Sequence, residues 1–199
     1  MRLAALLCTA ALLFAGHAAA AVKVGTPAPD FTTADSHGQP VKLSDYRGKF
    51  VVLEWTNDGC PFVQKHYQGN MQSLQKDATA RGAVWLTVIS SAPGKQGYVS
   101  GSEADALSKK RGAAPSEVLL DPSGNVGHLY GAQTTPHMFI VDPQGTLIYA
   151  GGIDSIASTD AADIETAKPY VKTALNEAMA GKPVSNPVTK PYGCSIKYP

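Results

Sequence analysis

Two apolar runs, Phe50-Val-Val-Leu-Glu-Trp-Thr56 and Ala83-Val-Trp-Leu-Thr-Val-Ile89, bracket a segment with helical periodicity, and this arrangement constrains the chain most. Each run is apolar at both odd and even positions, the pattern of a strand buried on two faces. Between them Val63, Tyr67, Met71, Leu74 and Ala78 recur at steps of four, four, three and four, which puts them in one stripe on a helix. Pro61 suits the first helical turn, where its missing N–H costs nothing, and Gly69-Asn70 marks a kink or break.

The pattern continues downstream. A second helix is expected at 103–111 and a strand at 117–121, stopped by Asp121-Pro122-Ser123-Gly124. Short apolar runs at 138–142 and 146–150, joined by Pro143-Gln144-Gly145, read as a hairpin. A last helix spans 161–180, with Thr159 or Asp160 near its cap, Pro169 bending or breaking it and Gly181 stopping it. Alternating strands and helices followed by a hairpin give an α/β fold with a central mixed sheet flanked by helices. One domain, 21–181, is expected, then a tail at 182–199 whose prolines at 183, 187, 191 and 199 hold it extended over the surface. A chain that is 44% apolar and 17% charged is globular, and three cysteines in 199 residues cannot build a disulfide framework.

The first twenty residues stand apart. Arg2 precedes an uncharged Leu/Ala-rich run and a stretch of small residues, which reads as a secretory signal cut after Ala20 or nearby. The run is short for a bilayer span, the alternative being an uncleaved anchoring helix. Leu7 stands where lipid attachment at Cys8 would need a small residue. Removing the signal takes Lys+Arg from 17 to 16 against 16 Asp+Glu, so there is no electrostatic case for nucleic acid or an acidic membrane. The product is periplasmic or secreted, with two cysteines, Cys60 and Cys194, in a compartment where disulfides persist.

Cys60 follows a buried strand and the polar turn Asn57-Asp58-Gly59, and directly precedes the helix at Pro61. Backbone N–H groups and the helix dipole favour a thiolate at that place. The same region carries a resemblance. Val24-Gly-Thr-Pro-Ala-Pro-Asp-Phe31, then Leu43-Ser-Asp-Tyr-Arg-Gly-Lys49, the strand ending at Trp55 and the Cys60-Pro61 pair resemble the redoxin branch of the thioredoxin-like superfamily. The resemblance implies a thioredoxin-like fold with an N-terminal extension, and identifies Thr135-Pro136 with the cis-proline loop that faces the active cysteine. It implies exchange with protein thiols and disulfides, or reduction of small peroxides, with no cofactor and an electron donor that the sequence does not name.

The chain departs from both active-site patterns of that superfamily. A Cys-x-x-Cys pair would need cysteine at Val63, and a Pro-x-x-x-Thr-x-x-Cys motif would need proline at Leu53 and threonine at Asn57. Thr56 misses by one position, and Asn57 is left as a candidate hydrogen-bond donor to substrate. Asn57, Pro61, Thr135 and Pro136 are therefore the candidate substrate-binding residues, and Cys60 and Cys194 the catalytic pair. Cys194, in Tyr192-Gly-Cys-Ser-Ile196, either resolves an oxidised Cys60, forms a permanent bridge with it, or never meets it. Those alternatives correspond to an oxidoreductase and to a non-catalytic binding module stapled by a disulfide. A metal chaperone using Cys60, His66 and His137 is a third reading, without supporting ligand spacing. Lys65 and His66 read as a solvated helix face, Glu54 as an acid reaching solvent or a basic partner, and His37 and His128 as incidental turn residues.

Overall fold

The computed structural model describes residues 22–199, so the expected signal segment 1–20 and Cys8 lie outside the described residues. The described chain contains β1 (Thr32–Asp35), β2 (Pro40–Lys42), β3 (Val51–Trp55), α1 (Pro61–His66), α2 (Asn70–Ala80), β4 (Val84–Ile89) and α3 (Gly101–Arg111). There follow β5 (Glu117–Leu120), α4 (Asn125–Tyr130), β6 (Thr134–Thr135), β7 (His137–Val141), β8 (Leu147–Gly151), α5 (Tyr170–Met179) and β9 (Cys194–Ser195).

Seven strands form one mixed sheet in the order β2-β1-β5-β4-β3-β7-β8. β3 runs parallel to β4 with Val51 opposite Val84, and β4 parallel to β5, as the alternating pattern requires. β7 returns antiparallel to β3 and closes the expected hairpin with β8. All residues of β3, β4 and β7 are buried, which is why these runs are apolar on both faces. Val51, Leu53 and Trp55 face one core layer with Val126 and Tyr130 of α4. Val52 faces the other with Met71 and Ala78 of α2 and Val171, Ala174 and Leu175 of α5. Helices thus cover both faces of the sheet.

The break expected at Gly69-Asn70 separates α1 from α2, with Gly69 at φ +125° as the α2 cap. The expected last helix is likewise divided: a 3-10 turn at Ala161–Ile164 precedes Pro169, which caps α5. The sequence pattern does not announce the first hairpin or the helix α4. The short, polar β1–β2 hairpin extends the sheet beyond β5, and α4 has only six residues, its start fixed by the Asp121 carboxylate accepting Val126 and Gly127 N–H at 3.2 and 2.9 Å.

The tail corrects the expectation of a purely surface course. Its first half is largely exposed, but β9 pairs antiparallel with β6, Ile196 is buried and Tyr198 stacks on His128 with ring centroids 4.0 Å apart. Tyr192, Cys194, Ile196 and Tyr198 alternate with Gly, Ser, Lys and Pro, a period-two signal that the prolines mask.

Candidate active site

β3 ends at Trp55, and the loop that follows is tied down before α1 begins. Asn57 is buried; its Oδ1 accepts Gly59 N–H at 2.9 Å and its Nδ2 donates to the Gln96 carbonyl at 3.1 Å. Asn57 therefore braces the loop between β3 and α1. Cys60 N–H donates to Asn57 O at 3.1 Å and Cys60 caps α1, with Pro61 in the first turn. Thr56 Oγ1, one position from the place of the motif threonine, is buried and has no hydrogen-bond partner among the described residues.

The second wall is the segment before β7. The Thr135-Pro136 peptide bond is cis, as the resemblance implied. The Cys60 thiol donates to Thr135 O at 3.1 Å. Across β6 and β9 Thr135 stands opposite Cys194, which brings both thiols to the same residue. Both are free thiols in the structure, Cys60 fully buried and Cys194 half-buried.

Their acidities diverge. Burial pushes the Cys60 thiol up, but the donors that surround it, the Cys194 thiol first and then the Val63 and Cys194 amides and the Thr135 side chain, outweigh burial and hold its pKa below the ordinary value. Cys194 is pushed up to about 11 by burial, by its hydrogen bond to Cys60 and by the Cys60 charge. The pair is thus polarised, with Cys60 the more acidic thiol and Cys194 the less acidic one.

Three expectations about neighbouring residues are corrected. Lys65 and His66 are buried, not solvated. Lys65 Nζ donates to Ile156 O at 3.2 Å and Ser158 Oγ at 3.3 Å. His66 sits in a chain of hydrogen bonds: Asn70 Nδ2 donates to Nδ1 at 2.8 Å, Nε2 lies 3.0 Å from the Tyr192 hydroxyl, and that hydroxyl donates to Asp154. Desolvation takes the His66 pKa down to about 4 despite Asp154, and Lys65 adds to the fall. Glu54 reaches neither solvent nor a basic side chain; Tyr67, Gln75, Trp85 and Thr87 donate to its oxygens at 2.8, 3.0, 2.7 and 3.1 Å.

His137 is buried, accepts Gln133 N–H through Nδ1 at 3.2 Å, and is held by desolvation near pKa 4. The metal reading required Cys60, His66 and His137 together, and among the described residues no group of three such side chains is placed to hold an ion. His128, expected to be incidental, is the platform for Tyr198. Sequence reasoning missed Tyr192 and Asp154, whose partners lie far away in the chain, and Asn70, which meets His66 four residues earlier across the break between α1 and α2.

The model of the AhpC/TSA family matches residues 24–150, a span that includes Cys60, Thr135 and Pro136. The chain belongs to the AhpC/TSA family. Among curated proteins it is 29% identical over 125 residues to the thiol-disulfide oxidoreductase ResA of Geobacillus thermodenitrificans, a match covering 63% of this chain and 67% of that one. It is 37% identical over 54 residues to peroxiredoxin Bcp of Bacillus subtilis, 23% of this chain and 34% of that one, so it spans about a third of that relative. Of solved structures, an uncharacterized conserved protein from Geobacillus kaustophilus superimposes with a TM-score of 0.76 at 22% identity, over 89% of this chain and 93% of that one. The pneumococcal exposed lipoprotein thioredoxin from Streptococcus pneumoniae gives 0.51 at 28% identity, over 69% of this chain and 97% of that one. The fold is thioredoxin-like, and the family is one of thiol-based redox proteins. No described helix is long and apolar enough to cross a membrane.

Proposed function

We propose that this chain is an exported thiol oxidoreductase in which Cys60 is the nucleophile and Cys194 the resolving thiol. The observation that carries the reading is the convergence of both thiols on Thr135, with Cys60 made more acidic and Cys194 less. With a disulfide R–S–S–R, the Cys60 thiolate attacks one sulfur, forms Cys60–S–S–R and releases RS⁻. Cys194, losing its proton, then attacks the Cys60 sulfur, releases the second thiol and leaves a Cys60–Cys194 disulfide. With a peroxide ROOH, Cys60 becomes a sulfenic acid as RO⁻ leaves, and Cys194 condenses with it to give the same disulfide and water. Two electrons leave the thiols in either case, and an external dithiol returns them.

Cys194→Ala tests the resolving role. Turnover with peroxide or disulfide and a reductant should be lost, with Cys60 trapped as sulfenic acid or mixed disulfide; unchanged turnover would remove Cys194 from the role. The competing reading, a binding module with a permanent Cys60–Cys194 staple, draws on the several contacts that hold the tail. A bridge closing about 130 residues would contribute on the order of 5 kcal/mol in the chain-entropy model. A reduction potential above about −250 mV favours catalysis, and one below roughly −300 mV favours the staple.

Export rests on the signal-like segment 1–20, and the structural similarity to an exposed lipoprotein thioredoxin agrees with it. The substrate class is therefore thiols, disulfides or peroxides met outside the cytoplasm. N-terminal sequencing of the exported protein should begin near Ala21; retention of Met1 would refute processing.

A further inference from the structure

We infer that the C-terminal tail restricts the Cys60 site to small oxidants and excludes disulfides embedded in polypeptides. This rests on the reading of Cys60 as a redox nucleophile and specifies its substrate class. Three observations support it.

First, the backbone edge that an extended polypeptide would use is taken. β6 hydrogen-bonds to β9, with Thr134 opposite Ser195 and Thr135 opposite Cys194. A substrate strand adding to β6 would need the same N–H and C=O groups. Second, the occupant fits closely. Gly193 sits at φ +132°, and a Cβ built on it would lie 2.0 Å from Thr135 O, so only glycine seats the chain here. Beneath it Cys60 has no solvent-exposed surface.

Third, the tail is fixed on both sides of Cys194. Upstream, the Tyr192 hydroxyl lies in the hydrogen-bond chain between His66 and Asp154, and its ring meets Phe62 of α1 with centroids 5.8 Å apart. Downstream, Ile196 is buried and its N–H donates to Gln133 O at 3.1 Å, Ala92 N–H donates to Lys197 O at 2.8 Å, and the Tyr198 hydroxyl donates to Ala132 O at 2.8 Å. With both anchors in place, motion is confined to Gly193 and Cys194. Such a local shift uncovers one sulfur for a small disulfide or peroxide but leaves the β6 edge covered. A polypeptide must wait for an anchor to release, and its rate scales with the fraction of molecules in that open state.

The test compares two oxidants on the reduced, full mature chain: 2-hydroxyethyl disulfide as the small probe and insulin as the polypeptide disulfide. Formation of the Cys60–Cys194 bond is followed by mass spectrometry. The wild-type chain should react with the small probe and much more slowly with insulin. Ile196→Ala/Tyr198→Ala, or the single-group change Tyr192→Phe should the first not fold, should raise the insulin-to-small-probe rate ratio about tenfold or more. Equal rates with both probes in the wild-type chain, or a ratio unmoved in every folded anchor variant, would overturn the inference while leaving Cys60 as a nucleophile. A Cys60 inert to both probes in all variants would overturn the nucleophile reading and the inference with it.

Discussion

Acidification from pH 7 to pH 5 should destabilise the fold through two buried imidazoles. His66 and His137 are held near pKa 4, against an ordinary value of 6.5, because burial penalises their charged forms. The unfolded chain binds more protons than the folded one between these values, so the stability present above pH 6.5 is lost as pH falls toward 4. Linkage gives about 2 kcal/mol lost per histidine between pH 7 and pH 5, or roughly 4 kcal/mol for the pair. Carboxylates held low, such as Asp30 and Glu177, lose their share mainly below this window, and half-buried Glu117, pushed up by burial, opposes the loss only weakly. Urea denaturation followed by the emission of the fully buried Trp55 and Trp85 reports the change. With a slope near 2 kcal/mol/M, the midpoint should fall by about 2 M. In His137→Asn roughly half of the pH dependence should disappear, and equal midpoints at pH 5 and pH 7 in the wild-type chain would refute the reasoning.

Other consequences follow from the same geometry. Glu54→Ala removes the acceptor of four buried or half-buried donors, and denaturation should show a loss of about 3 kcal/mol or more; a change under about 1 kcal/mol would contradict that role. Gly193→Ala drives a Cβ into Thr135 O at a positive φ, so formation of the Cys60–Cys194 bond should slow about tenfold while the first attack by Cys60 persists, as read by quenched mass spectrometry. The pH profile of iodoacetamide labelling, resolved by peptide, should inflect below the ordinary thiol value for Cys60 and near 11 for Cys194; a reversed order would refute the assignment of the more and the less acidic thiol.

The parts of this molecule that were legible in the sequence are those whose cause is local. β3 and β4 announce themselves by being apolar at every position, and Cys60 by its place between a strand and Pro61. Gly69 marks the break between α1 and α2 because its φ of +125° suits glycine alone. Burial of Glu54 and His66 was not legible, since Trp85 and Tyr192 reach them from 31 and 126 residues away. Each polar side chain looks solvent-bound until its distant partner is known. The tail is half legible: Cys194 stands out as a partner for Cys60, but the prolines point to a surface course, and only the alternation of Tyr192, Cys194, Ile196 and Tyr198 points to the strand that carries Cys194 to Thr135.

The reduced protein treated with one equivalent of hydrogen peroxide and then digested under acid gives the most direct reading of the central claim. A cross-linked peptide joining Cys60 to Cys194, with the intact mass lowered by two hydrogens, is the predicted result. Recovery of Cys60 as an unmodified thiol after the peroxide has been consumed, or as a stable oxidised residue beside a free Cys194, would contradict it.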